Sequence, residues 1–282
     1  MVMYCLVCLL NILGKLKEAK MAKVIAITNQ KGGVGKTTTT VDLGAALSRE
    51  KKKVLLVDFD PQGNLTSGLG IERKRPLTVL HMLQNEVAEV EYDVHETIAK
   101  HETDEVNLDV LPANKLLVTA ETLFQSVEED KELVLKKVLS QVEDEYDYIL
   151  IDCPPSLSML TINALGAADS VLIPVQPTKY SLDGLADLVK LVMVAQKTYN
   201  KDLDFEGIVY TLDTPTQVET RNIKQDVENA FGANIRIHDV TIPRLKDISS
   251  SPSYGVSVFD LAPTSNGALA YAKLAREVLE NG

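Results

Sequence analysis

Cysteine is scarce, with three in 282 residues. No secreted disulfide framework therefore holds this chain together, and a reducing cytoplasm is the compartment that fits. Positive charge is in deficit as well. Lysine and arginine number 29 against 40 acidic residues, a net charge of -11. That balance excludes a basic coat, so any nucleic-acid contact has to come from a local basic patch on an acidic body. No apolar run reaches the ~20 residues that span a bilayer. Low-complexity linkers and internal repeats are also missing. What remains is an ordinary globular composition, 45% hydrophobic and 24% charged. A chain of this length buries about three quarters of its unfolded surface without a metal or disulfide staple.

The first twenty residues stand apart. Val2 to Leu13 is mostly apolar and is followed by Lys15, Lys17 and Lys20. A secretory signal carries its positive charge ahead of the apolar run, and here the order is reversed. Residues 1–20 read first as a dispensable extension ahead of Met21. A weak amphipathic membrane or partner contact and a structured packing element are the other two readings. Cys5 and Cys8 form a C-x-x-C with no second pair at zinc spacing, a weak metal signal. Residues 21–282 are expected to form a single domain.

From Lys23 onward, short β-branched apolar runs alternate with longer helical patterns. The expected strands are Val24–Thr28, Val54–Asp58, Leu108–Leu111, Tyr148–Asp152, Ser170–Val175, Gly207–Thr211 and Ile237–Ile242, with Ser257–Phe259 as a short eighth. The expected helices are Lys36–Arg49, Ala113–Glu143 (as two helices or one with a loop), Thr161–Ala167, Ser181–Tyr199, Gln217–Phe231 and Asn266–Glu280. Residues 71–105 read as a polar surface insertion carrying a short helix. Runs such as VLLV and YILI are continuously apolar, as parallel strands covered on both faces are. The expected class is α/β, a doubly wound, mainly parallel sheet with helices on both faces.

The strongest signal is QKGGVGKTTTT, Gln30 to Thr40, between the first strand and the first helix. Gly32, Gly33 and Gly35 let backbone N–H groups approach phosphate oxygens with no Cβ in the way. The helix beginning at Lys36 adds the positive end of its dipole. Lys36 is placed to reach β- and γ-phosphates, and the Thr37 hydroxyl to hold magnesium. Asp58, Asp60 and Asp152 end two strands, and the carboxyl ends of such strands form the ligand crevice. Asp152 closes an apolar strand beside the loop, the arrangement that holds magnesium. Asp58 and Asp60 also have the simpler role of capping a turn at Pro61–Gly63.

The loop departs from G-x-x-x-x-G-K-[ST]: its first glycine position is Gln30, and Lys31 is an added cation in K-G-G-V-G-K-T. Here the sequence resembles the deviant Walker A P-loop ATPases, in particular the ParA/Soj partitioning group. VLLVDFDPQGNLTSGLG (54–70), YILIDCPPSL (148–157) and, with partial departures, IPRLKDISSSPSYG (242–255) extend the likeness over about residues 22–280.

The resemblance implies ATP and Mg2+ as cofactors, with Lys31, Gly32, Gly33, Val34, Gly35, Lys36, Thr37 and Thr38 as the nucleotide cradle. Pro243 flanks the adenine, and Thr37, Asp58 and Asp152 lie at the metal. Asp60 positions the attacking water, Gln62 and Asn64 belong to a switch loop, and Lys31, Lys36 and Asp60 are the catalytic set. It also implies a homodimer sandwiching two ATP molecules, with Lys31 reaching the partner's phosphates. Nonspecific double-stranded DNA would be held by basic residues around Arg221, Arg244 and Lys246, and a ParB/Spo0J-like centromere-binding partner would stimulate hydrolysis. The expected location is cytoplasmic and nucleoid-associated, with no stable membrane association.

A MinD-like division-site ATPase would end in a basic amphipathic membrane helix, whereas this chain ends ALAYAKLAREVLENG. A nitrogenase-iron-protein-like reductase would need paired cysteines, and beyond residue 20 there is only Cys153. An ATP-dependent metabolic ligase on the same fold remains open, as does a DNA-binding module with negligible turnover.

Overall fold

A computed structural model describes residues 21–179, 181–214 and 217–281. The extension and its Cys5–Cys8 pair lie outside the described residues. Eight strands form one sheet in the order β3-β4-β2-β5-β1-β6-β7-β8. They are β1 (Lys23–Ile27), β2 (Val54–Asp58), β3 (Ala99–Glu102), β4 (Asn107–Leu111), β5 (Tyr148–Asp152), β6 (Ser170–Val175), β7 (Asp204–Asp213) and β8 (Ile237–Pro243). Every pairing is parallel except β3 with β4.

Side chains alternate between two apolar layers. Val24, Ala26, Leu55, Val57, Ile149 and Ile151 face one layer. Ile25, Ile27, Val54, Leu56, Tyr148 and Leu150 face the other. The second layer is covered by the helices Lys36–Arg49 and Asn266–Glu280, the first by Val79–Val87, Val134–Leu139, Met159–Ala167 and Ser181–Thr198. Burial on both faces explains why the central strands read as unbroken apolar runs. The doubly wound expectation holds.

Two local expectations are corrected. Ser257–Phe259 is no strand. Ser257 caps a helical turn, Val258–Leu261: its hydroxyl accepts from Asp260 N and Asp260 returns the bond to Ser257 N. Val258 N meanwhile donates to the buried Asp42 carboxylate at 2.9 Å, so the segment's polar groups are satisfied locally rather than by a sheet.

The eighth strand is β3, inside the stretch taken for a polar insertion. It alternates buried Ala99 and His101 with exposed Lys100 and Glu102 on the sheet's edge, which leaves only two apolar-face positions as a signal. The stretch does carry the expected short helix, Val79–Val87.

Ala113–Glu143 takes the two-helix form of the expectation, with a tight turn at Lys115–Thr119 ahead of helices Ala120–Gln125 and Val134–Leu139. The buried Asn163 side chain holds the break open. It accepts from Leu135 N at 3.2 Å and donates to Lys131 O at 2.9 Å.

The same packing leaves no room beside Gly166. A Cβ there would stand 2.1 Å from the Glu132 carbonyl oxygen. Gly166→Ala is expected to cost about 1–3 kcal/mol by overpacking, and to lower the melting temperature by about 2–4 °C per kcal/mol in thermal unfolding.

Candidate phosphate and metal site

β1 leads into the glycine loop because Asn29 anchors its start. The buried Asn29 side chain donates to Pro174 O at 2.7 Å and accepts from Lys31 N at 2.9 Å. Gly33 and Gly35 follow with φ of 74° and 87°, a left-handed backbone that favours glycine. Val34 is buried between them, and its carbonyl accepts from the Thr211 hydroxyl on β7 at 2.7 Å. The loop therefore hangs between two strands, and the Lys36–Arg49 helix begins directly beneath it.

These residues open onto a cavity of about 590 Å³ whose wall includes Gly32, Gly33, Gly35, Lys36, Thr37 and Thr38. Asp60, Gln62 and Asn64 line another side, and Pro243, Arg244 and Lys246 a third. A larger groove of about 710 Å³ lies at the amino ends of β2 and β4, lined by Lys51, Lys52 and Lys53 among mixed charges. It has no convergent amides of this kind, and the smaller cavity is the one at the carboxyl ends of the strands, where such sheets hold ligands.

Lys36 is buried, and its ammonium donates to Lys31 O at 3.3 Å. Burial lowers its pKa, opposed by the nearby Asp152, Cys153 and Asp60. Among the described residues it has no ion pair within 4 Å, so an anion in the cavity meets a cation that no carboxylate contacts directly.

Asp58 and Asp152 are neighbours in register on β2 and β5, both fully buried. Burial raises the Asp58 carboxyl to about 6, although Thr66 donates to it through N at 2.8 Å and Oγ1 at 2.6 Å. Asp152 is raised well above the ordinary carboxylate range, by burial first and then by Asp58. Neither of its oxygens makes a hydrogen bond, and the Thr37 hydroxyl nearby pulls its pKa back down without reaching bonding geometry.

An orphaned, buried carboxylate next to a threonine hydroxyl and close to the Lys36 ammonium of the cavity wall fits a magnesium ion. No cluster of three or more His, Cys, Asp or Glu among the described residues is placed to hold a metal alone. Magnesium commonly takes one or two carboxylates and completes its shell with substrate phosphates and water.

A sign follows for stability. A carboxylate raised in the folded state favours folding while protonated, and that stability is lost as pH rises from its unfolded pKa through its folded one. Asp152→Asn should therefore melt higher than the parent protein at neutral pH without metal, and should lose the stabilisation that Mg2+ with nucleotide confers. Lower melting of the metal-free variant would contradict this account of Asp152.

Not every expected site residue converges. Lys31 points away from its own cavity, and its ammonium donates to Thr178 Oγ1 at 2.7 Å, just ahead of the Ser181–Thr198 helix. Arg221 is exposed on the Val218–Phe231 helix, outside the cavity wall. Its neighbour Lys224 is occupied by Asp213 at 2.6 Å and by the Tyr210 ring. Arg244 and Lys246 are exposed on the rim.

Sequence reasoning missed Thr211, Leu212, Tyr271, Ile248 and Ser249, all in the cavity wall. Only Thr211 lay in an expected strand end. Tyr271 reaches the site from a helix more than 200 residues downstream, with no local signal to mark it.

The AAA_31 family, described as an AAA domain, matches residues 22–205. The sporulation initiation inhibitor protein Soj of Bacillus subtilis is 47% identical over 93% of this chain and 100% of its own length. The chromosome-partitioning ATPase Soj of Treponema pallidum is 42% identical over 92% of this chain and 98% of its own. Among solved structures, cobyrinic acid a,c-diamide synthase from Mycobacterium smegmatis with bound ADP and magnesium superposes with a TM-score of 0.78 at 34% identity, covering 93% of this chain and 95% of that one. No helix among the described residues is long and apolar enough to cross a membrane.

Proposed function

Because the chain belongs to the Soj/ParA family of partitioning ATPases, we propose that it is a Mg-dependent ATPase working as a nucleotide-gated assembly switch. In this reading ATP drives pairing of two copies, and the pair holds double-stranded DNA without sequence preference. A ParB/Spo0J-like partner accelerates hydrolysis and so releases the DNA. Residues 21–282 act as one ATPase domain in the cytoplasm, on the nucleoid, and residues 1–20 are dispensable to it.

The observation that carries the reading is the convergence on one cavity of the glycine amides, the unpaired Lys36 ammonium and Asp60, with the orphaned Asp152 buried beneath. The amides and Lys36 bind and orient the triphosphate and stabilise charge developing on the transferred phosphoryl. Mg2+ bound at Thr37, Asp152 and Asp58 would neutralise β- and γ-oxygens. Asp60 accepts from Gln62 N through Oδ1 at 2.8 Å, which leaves Oδ2 to orient an attacking water. Lys31 exchanges its Thr178 contact for the partner's phosphates, so its charge serves catalysis only when two copies meet. Pro243 stands on the cavity wall, and in this reading it flanks the adenine.

The test is size-exclusion chromatography and DNA retention with no nucleotide, ADP or ATP. Pairing and retention with ATP alone are expected, with retention falling steeply as salt rises. A single subunit that ignores DNA under saturating Mg-ATP would overturn the proposal. It would favour an ATP-dependent metabolic enzyme on this fold, the class that the Mycobacterium smegmatis structure's name denotes.

Arg244→Glu should weaken DNA retention roughly tenfold at moderate salt by replacing one phosphate contact with repulsion, and leave nucleotide affinity in place. Unchanged retention at low salt would remove Arg244 from the DNA face.

A further inference from the structure

We propose that Arg73 is a positioning residue for hydrolysis, a clamp that holds the turn carrying Asp60 in its working place. The inference rests on the reading of Asp60 as the residue that orients water. Asp60 opens a tight turn: Gly63 N donates to Asp60 O at 2.9 Å, and Gly63, at φ 61°, leads into the short helix Asn64–Gly68.

The inner side of this segment is tied to the sheet. Thr66 donates to Asp58, and the Thr66 hydroxyl accepts from Ala113 N at 3.0 Å. The outer side is held by Arg73. Its Nε donates to Gly63 O at 3.2 Å, and its Nη2 donates to Ser67 Oγ at 2.6 Å and Asn64 Oδ1 at 3.4 Å. Ser67 Oγ in turn donates to Gly63 O at 3.0 Å.

The guanidinium has no carboxylate within 4 Å among the described residues, and its three bonds go to neutral acceptors of this one turn. A planar fork donating through Nε and Nη2 can span a carbonyl and a hydroxyl together, which an ammonium on a flexible stem cannot. Gly63 links the clamp to Asp60 through one backbone hydrogen bond, and Asn64 links it to the cavity wall. Without Arg73 the turn keeps its inner tie and loses its outer one, and Asp60 is free to drift from the place where a water must sit. A misplacement of about 1 Å is enough to slow a positioned reaction severely.

The experiment is steady-state ATP hydrolysis by the full chain as Arg73→Ala, Arg73→Lys, Ser67→Ala and the Arg73→Ala/Ser67→Ala double variant, with amide hydrogen exchange on the same proteins. Arg73→Ala should lower kcat roughly tenfold, the size of one charge-assisted hydrogen bond, with KM for ATP nearly unchanged. Exchange should quicken in residues 60–68 and stay at the parent rate in the sheet. Arg73→Lys should recover only part of the rate. Ser67→Ala should act in the same direction, and the double variant should fall well short of the sum of the two. Arg73 is exposed, so its replacement leaves the core intact.

A parent-like kcat in Arg73→Ala, with or without faster exchange, overturns the proposal. So do additive effects of the two single changes, or a loss confined to KM. Asp60→Ala run alongside separates the two levels: if it too hydrolyses at the parent rate, the failure lies in the reading of Asp60 and not in the clamp.

Discussion

Lys36→Ala is expected to abolish the proposed ATP-dependent pairing and to lower ATP affinity by about 100-fold or more. The size follows from what the ammonium lacks. It is buried, it donates only to the Lys31 carbonyl, and no carboxylate neutralises it within 4 Å. The β- and γ-phosphates are the partners such a group is missing. Two charge-assisted hydrogen bonds at about 1.5 kcal/mol each give the stated factor. Burial costs this cation more than the nearby Asp152 and Asp60 return, so the variant should melt at or above the parent temperature without nucleotide. Titration calorimetry with Mg-ATP and size-exclusion chromatography check both halves. Parent-like affinity would mean that Lys36 does not face the phosphates.

Asp60→Ala has the opposite signature. ATP binding and the proposed pairing should persist, hydrolysis should fall by about 10²–10⁴-fold, and the ATP-bound pair should stay on DNA. Asp60 lines the cavity without belonging to the glycine loop, so its loss should leave the phosphate grip in place and remove the group proposed to align water. The alanine also deletes the acceptor for Gln62 N. Asp60→Asn keeps that acceptor and much of the turn, and it isolates the charge. If the asparagine variant is as slow as the alanine one, the carboxylate's charge is what matters. If it turns over at the parent rate, Asp60 serves only as a turn former. Measuring DNA retention over time after ATP addition distinguishes a trapped pair from one that never forms.

Within the site, what was legible depended on how local each interaction is. The glycine loop and Lys36 were readable because a strand, a nest of amides and a helix start are all encoded within about fifteen consecutive residues. Asp152 was readable because an apolar strand ending in an acid carries its own signal. Thr178 was not, since its only mark is a 2.7 Å contact with Lys31 across 147 residues. Arg73 looked like one more charge in a polar stretch until folding brought it over Gly63 and Ser67. Lys224, one helical turn from Arg221, is engaged with Asp213, a pairing that no spacing in the chain announces.

The amino-acid order by itself determined seven strands, six of them to within a residue of their final bounds and β7 at half its length, the alternation of strands with helices and the phosphate loop. Each of these rests on short-range physics: side-chain period, glycine backbone freedom and the strand–loop–helix succession. The tertiary structure alone decided that β3 joins the sheet's edge, that 257–259 is a capped turn, and that Thr211, Tyr271 and Arg73 stand around the site. Those outcomes depend on which distant groups compete for a given hydrogen bond or apolar face, and that competition is settled only when the layers pack.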